Sequence, residues 1–298
     1  MKTLRYIIMG IMLIIIIPIC NSQIPVKNEQ VITLQSVTKN ASKKLLSESK
    51  EILLRRLVYM NLRNIQIIQK DTKSELVITV KDTINSKTLL DILLIQGHLN
   101  FYETMNSEEV LKYFGKQSSG CIQDAFTSLH IKDSIHLNSE PILGIAIAKD
   151  TSSINSCFSL KEVRKLLPKH LRLLWTIYPG DNKQYFLFCI SSSDKTFNEQ
   201  NITESHADFE NQEPPTLCIT FKEKVWKLWK EATIRNMNKT ITFVIDNKVY
   251  FAPQILSEIP HGKISLTGGG LSKTEIRKLV AIISNGVLPL KFIVAGNK

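Results

Sequence analysis

Glycine is scarce in this sequence, at 12 of 298 residues, and aromatic residues make up only 7%. Against that background one stretch stands out, ISLTGGGLSKTEIRKL, where a strand-like run meets three consecutive glycines and then a helical pattern. A phosphate loop of this kind needs a GK[ST] ending, and a dinucleotide loop needs GxGxxG inside a βαβ unit. Neither is present, so Gly268, Gly269 and Gly270 read as a turn feeding a helix capped at Ser272. GxSxG, HExxH and CxxC are also missing, which removes the common hydrolase, zinc-protease and zinc-ribbon signatures. The histidines at 98, 130, 136, 170, 206 and 261 are dispersed. The expected reading is a non-enzymatic protein with no cofactor, nucleotide or metal site.

Long apolar runs are missing too, except at the start. Lys2 and Arg5 precede an uncharged run from Tyr6 to Ile19, followed by Cys20-Asn21-Ser22. A basic segment and a short apolar core read as an export signal over 1–22. As a helix the run spans about 21 Å, short of a bilayer core of about 30 Å. Cys20 sits where a lipoprotein carries its acylated cysteine. Acylation of Cys20, cleavage after Ser22 and an uncleaved helix all remain open. Each places the rest of the chain on the outer side of a cytoplasmic membrane, in the periplasm or anchored to a membrane. Cys121, Cys157, Cys189 and Cys218 are widely spaced; one disulfide or four buried thiols fit that compartment.

The formal net charge is +11. Export argues against nucleic acid as the partner. Anionic lipid head groups, acidic polypeptide segments and a diffuse solvated basic surface are the readings left. The basic helix faces carrying Arg55, Arg56 and Arg63, and Arg164 to Arg172, are expected to be solvated.

Periodicity gives the organisation. Residues 31–37, 65–70, 75–81 and 98–105 read as strands, and 42–62 and 86–97 as helices, the second beginning at Ser86 and ending at Gly97. The order βαββαβ predicts an α+β, ferredoxin-like unit. The order recurs later: a strand at 216–221, a helix at 222–236, a hairpin at 240–253 turning at Asp246-Asn247, a strand at 263–268, a helix with a Ser272–Glu275 capping box, and a strand at 288–295. Strands are also expected at 143–150 and 185–191, and a helix at 159–171 ended by Pro168. Residues 192–215 are polar and acidic and read as a mobile loop. Trp229 belongs on the apolar stripe of its helix, with Trp226 at its edge.

The run IRNMNKTITFVIDNKVYFAPQILSEIPHGKISLTGGGLSKTEIRKLVAIISNGVLPLKF resembles the first periplasmic domain of the SecD and SecDF proteins, accessory subunits of the Sec translocase. The residues carrying the likeness are Val244, Asp246, Val249, Tyr250, Ala252, Pro253, Thr267, Gly268, Gly286, Leu288 and Pro289. ILLRRLVYMNLRNIQIIQKDTKSELVITV is similar to that family's arginine-rich helix and hairpin, and GIAIAKDTSSINSCFSLKEVRKLLPKHLRLLW to the SecDF proteins of the Bacteroidota. Asn238 stands where the family usually has glycine, and the membrane helices that follow in the family are not in this sequence.

The resemblance implies a ferredoxin-like base at 28–106 plus 287–298, with an α+β head inserted at 107–286. It implies a free-standing module that binds unfolded exported polypeptide or Sec translocase subunits. Trp226, Tyr250 and Phe251, with the 192–215 loop, are the implied contact residues. A structural envelope lipoprotein that has kept the fold without polypeptide binding is the alternative.

If Cys20 is acylated, the native protein fractionates with membranes and Cys20→Ala reduces that fraction. Equal recovery of the mutant instead indicates an uncleaved helix, and a fully soluble wild type indicates cleavage after Ser22.

Overall fold

The computed structural model describes residues 29–295, except 71–72, 116–119, 132–140, 181, 194–196, 210–213 and 269. The signal segment, Cys20 and Gly269 lie outside the described residues. The chain is mixed α and β with antiparallel sheets, as the sequence predicts.

The first unit is a four-stranded sheet. It contains β1 (Glu29–Ser36), β2 (Ile65–Lys70), β3 (Glu75–Lys81) and β13 (Phe292–Val294), in the order β13-β1-β3-β2. Helices α1 (Lys43–Tyr59) and α2 (Ser86–Leu94) cover one face. Ser42 caps α1, its side chain accepting from Leu45 N, and Leu46, Leu53 and Leu57 line its fully buried stripe. Asn85, not Ser86, caps α2: its Oδ1 accepts from Lys87 N and Thr88 N. β2 and β3 alternate apolar-in and polar-out, as one-sided sheets do. The order is ferredoxin-like, but the fourth strand is the C-terminal β13 rather than 98–105.

Strand β4 (Leu99–Thr104) instead pairs with β10 (Ile241–Ile245). Its burial explains the choice. Leu99, Phe101 and Tyr102 are all buried, with Phe101 edge-on to Trp229, Phe221 and Phe243. Such a strand needs cover on both faces, which the one-sided first sheet does not provide. Beside β4 and β10 lie β11 (Lys248–Phe251), β7 (Gln184–Ser191), β5 (Ile142–Ile147) and β6 (Leu171–Trp175). Thr176 also bridges Val249 of β11, and Ile177 N–H donates to Val249 O at 2.9 Å. The sheet therefore curls until its edges touch. Tyr102, Leu174, Phe188, Ile190, Val244 and Val249 fill the inside of the curl.

Four helices cover part of the outside: α3 (Ser107–Phe114), α4 (Cys121–Ser128), α5 (Ala148–Ser159) and α6 (Lys161–Leu166). Cys121 and Cys157 form a disulfide between α4 and α5. Cys189 is a buried thiol and Cys218 is half-buried. Helix α7 (Trp226–Arg235) packs elsewhere on the outside through Trp229 and Ala232.

A third sheet, β12-β9-β8, joins β8 (Ile202–Asp208), β9 (Thr216–Phe221) and β12 (Lys263–Leu266). Residues 202–208 are thus a strand and not part of a mobile loop. Their polar side chains suit an edge position, and Ser205 bonds Ser284 across to the neighbouring helix. The second βαββαβ order divides among three sheets and is not a second ferredoxin-like unit.

Helix α8 (Lys273–Asn285) runs between the first sheet's helices and the third sheet, so it is buried on more than one side. Ser272 caps it by accepting from Glu275 N, but the Glu275 carboxylate turns away and the expected capping box is only half made. Gly268 and Gly270 have φ of +86° and +69° and turn the chain into the helix.

The disulfide joins residues 36 apart, and a loop of that size is worth about 4 kcal/mol in the chain-entropy model. The double variant Cys121→Ser, Cys157→Ser is expected to melt well below the oxidised wild type and close to the reduced wild type. Equal melting of oxidised wild type and variant would show that the cross-link does not form in solution.

Candidate functional site at the double crossover

The chain passes between the first unit and the rest twice, at Ile95–His98 after α2 and at Gly286–Leu290 after α8. One arginine holds both passages. Arg56 is on the buried stripe of α1 and is fully buried, although a basic residue there was expected in solvent. Its Nη1 donates to Ile95 O at 2.5 Å and Ile92 O at 3.3 Å. Its Nη2 donates to Gln96 O at 2.8 Å and Gly286 O at 2.7 Å. These carbonyls lie at the C-terminal ends of α2 and α8, where partial negative charge collects and backbone acceptors lack helical partners. Burial pushes the Arg56 guanidinium down to about 10, with the Asp246 charge acting against that shift. It remains a cation at neutral pH.

Asp246 grips the same segment from its other edge. Its carboxylate accepts from Gln96 N at 2.6 Å, Gly97 N at 3.1 Å and His98 N at 2.9 Å. Asp246 and Asn247 have φ of +47° and +66° and form the expected tight hairpin turn. The turn therefore does more than reverse the chain, since it aims a carboxylate at three amides. Gly97 permits the approach. Its φ is +100°, and a Cβ there would lie 2.9 Å from Arg56 Nη2 and 3.0 Å from Ile282 Cγ2. Leu288 N–H donates to Gln96 O at 2.8 Å, tying one passage to the other.

A second buried cation lies nearby. Lys278 on α8 is 1% exposed. Its Nζ donates to Glu275 at 2.6 Å, Asp91 at 2.9 Å and Tyr178 Oη at 3.2 Å, and Tyr178 donates to Glu275. Burial alone would lower the Lys278 pKa, but the two carboxylates outweigh it and the ammonium is held above its ordinary value. Burial and then Glu275 push the Tyr178 phenol well up. Asp91 belongs to α2, so this network also spans the two units.

Beside the crossover opens a cleft of about 520 Å³, with half-buried Leu94 and Ile95 on its walls, the buried Tyr102 and Val244 at its floor, and Asp246, Arg172 and Lys291 at its polar edge. Among the described residues no group of three His, Cys, Asp or Glu side chains is placed to hold a metal ion.

The sequence-predicted contact residues do not converge on this cleft. Tyr250 and Phe251 are 8% and 6% exposed, stacked edge-on against Phe243 in the core, and present no surface to a partner. Apolar residues on both faces of β11 are the reason: the curled sheet covers both. Trp226 is half-buried, donates from Nε1 to Phe221 O at 2.8 Å, and packs on Gly262, where a Cβ would lie 2.5 Å from its Cδ1. Cys20 lies outside the described residues. Arg56 and Lys278 were missed. The available signal was a cation on an apolar helical stripe, Arg56 between Leu53 and Leu57, and Lys278 beside Leu279.

Residues 176–290 match the family model described as SecDF, P1 head subdomain. This stretch is similar to the SecDF P1 head subdomain, and the chain is SecD/SecDF-like. The protein translocase subunit SecD of Rhodothermus marinus is 31% identical over 153 residues, 50% of this chain and 24% of that protein. SecDF of Thermus thermophilus is 28% identical over 95 residues, 32% of this chain and 13% of that protein. The SecD-like chain thus spans about a quarter or less of the length of these relatives. A crystal structure of SecDF in its super-membrane-facing form aligns over 91% of this chain and 30% of that one, with a TM-score of 0.50 and 19% identity, which shows a shared fold. In this SecD-like chain no helix among the described residues is long and apolar enough to cross a membrane. The matched head subdomain contains Asp246, Lys278 and Gly286, so three members of the crossover belong to it and Arg56 and Asp91 do not.

Asp246→Asn keeps the turn but replaces one acceptor oxygen with a donor. It is expected to cost about 2–3 kcal/mol and to speed amide hydrogen exchange at Gln96, Gly97 and His98. Unchanged exchange there would show that the clamp is not held in solution. For Lys278 the sign follows from its raised pKa: the ammonium's stabilisation is complete below the unfolded value of about 10.4 and is lost as pH rises through the higher folded value. The melting gap between wild type and Lys278→Met should therefore stay constant through neutral and mildly alkaline pH and narrow only in strong alkali.

Proposed function

We propose that the chain is a non-enzymatic, SecD-like accessory to protein export, binding unfolded exported polypeptide or Sec translocase subunits on the outer side of the cytoplasmic membrane. The match of 176–290 to the SecDF P1 head subdomain carries this reading. The relatives are named as protein translocase subunits, and their role passes to this chain by analogy of family. The Cys121–Cys157 disulfide supports an oxidising compartment.

The surface assigned to polypeptide is the cleft at the crossover. It offers half-buried Leu94 and Ile95 beside polar groups, over a floor of buried Tyr102 and Val244, a mixture suited to an extended chain with apolar side chains. Trp226 is retained as a secondary contact, since it is only half-buried. The base is assigned to the four-stranded unit and the head to the remainder.

The purified chain should bind a reduced, unfolded model protein at micromolar concentration, bind its folded form far more weakly, and delay its aggregation. A bulky substitution in the cleft, Val244→Trp excepted because it would disturb the core, tests the surface: Asn100→Trp should weaken binding without lowering the melting temperature. Photo-crosslinkers in the cleft that capture only a resident envelope protein, and never an exported chain, would favour a structural role instead.

A further inference from the structure

The cleft at the crossover has an imbalance that its walls do not resolve. Its carboxylates are already occupied from within. Asp246 accepts from three backbone amides, and Asp91 accepts from Lys278. Its cations are not. Arg172, half-buried on β6, donates from Nη2 to Asn247 Oδ1 at 2.6 Å, and this contact fixes the plane of the guanidinium. Its other N–H groups, and the Lys291 ammonium, have no partner among the described residues. Both side chains line the cleft together with Asn100 and Tyr102.

We propose that this cleft selects extended polypeptide segments that carry an acidic side chain next to apolar ones, with Arg172 and Lys291 receiving the carboxylate. The proposal rests on the polypeptide-binding reading above and adds a specificity to it. A planar guanidinium held at one end suits a two-pronged bond to a carboxylate, and an exposed ammonium adds an unshaped second charge. Half-buried Leu94 and Ile95, in the same cleft lining, take the neighbouring apolar side chains. Selection by charge complementarity also explains why the internal carboxylates are neutralised by backbone amides and Lys278: left free, they would take up the two cations themselves. A lysine-bearing segment would meet like charge at the same place, which discriminates against it.

The test uses the full chain and three short labelled peptides of one apolar framework carrying glutamate, glutamine or lysine, followed by fluorescence anisotropy. The glutamate peptide is expected to bind about tenfold more tightly than the glutamine peptide, with the difference shrinking as salt screens the pair. Arg172→Gln with Lys291→Gln should erase the difference, and Lys291→Gln alone, at an exposed position, should reduce it without affecting folding. Arg172→Glu with Lys291→Glu should transfer the preference to the lysine peptide, a gain that a misfolded variant cannot imitate. Equal affinity for the glutamate and glutamine peptides, in a preparation that still binds reduced, unfolded protein, would overturn the acidic preference and leave polypeptide binding standing. Failure to bind any unfolded protein would overturn both. Binding to phosphatidylglycerol vesicles that depends on Arg172 and Lys291, with no peptide preference, would overturn the proposal in favour of a lipid head group.

Discussion

A single guanidinium with helix ends on two sides organises this molecule. Arg56 sits where α2 and α8 both finish, and helix ends carry carbonyls that the helices themselves do not satisfy. Leaving those carbonyls dry would cost more than burying one cation among them, because an unmade buried hydrogen bond forfeits its full desolvation penalty. The four contacts of Arg56 bind both passages of the chain to α1. Asp246 closes the arrangement from the opposite edge and supplies a counter-charge. Removing Asp246 leaves the buried Arg56 cation without its counter-charge, while Asp246 without Arg56 keeps its three amide bonds.

The consequence is a junction built from backbone rather than from side-chain packing alone. Loops that link units are usually exposed and solvated. Here the two passages run side by side, with Gln96 O accepting from Leu288 N as one strand of a sheet accepts from another. Lys278 adds a second tie between α2 and α8. Helix α8 belongs to the matched head subdomain yet packs on α1 and α2, so it works as a shared wall between the units. The cleft opens beside this wall, and Arg172 at its edge is oriented by its bond to Asn247.

Much of this was legible beforehand. The helix of α1 and its Ser42 cap, the strands at 65–70 and 75–81, the hairpin at Asp246-Asn247 and the helix after Ser272 follow from periodicity and turn chemistry. The motif VIDNKVYFAP lies within the stretch that matches the SecDF head model, and its residues make a particular turn and strand. What failed is equally specific. Residues 98–105 look like any short strand, and nothing local says which sheet they join. Residues 202–208 are polar because they form an edge strand, and composition alone reads polarity as a loop. Tyr250 and Phe251 look available as aromatics next to a turn, but a sheet that curls on itself buries both of its faces.

Local sequence determined the elements, since apolar spacing, caps and positive-φ turn residues act within a few residues of one another. It also determined the absence of the familiar catalytic motifs and the family likeness. Tertiary structure alone decided that residues 98–105 leave the first sheet, that Arg56 and Lys278 turn inward, and that Asp246 grips a segment far away in the chain. The physical reason is the range of the interactions involved. A buried charge is stable only where distant groups converge to satisfy it, and that convergence has no signature in the neighbouring residues.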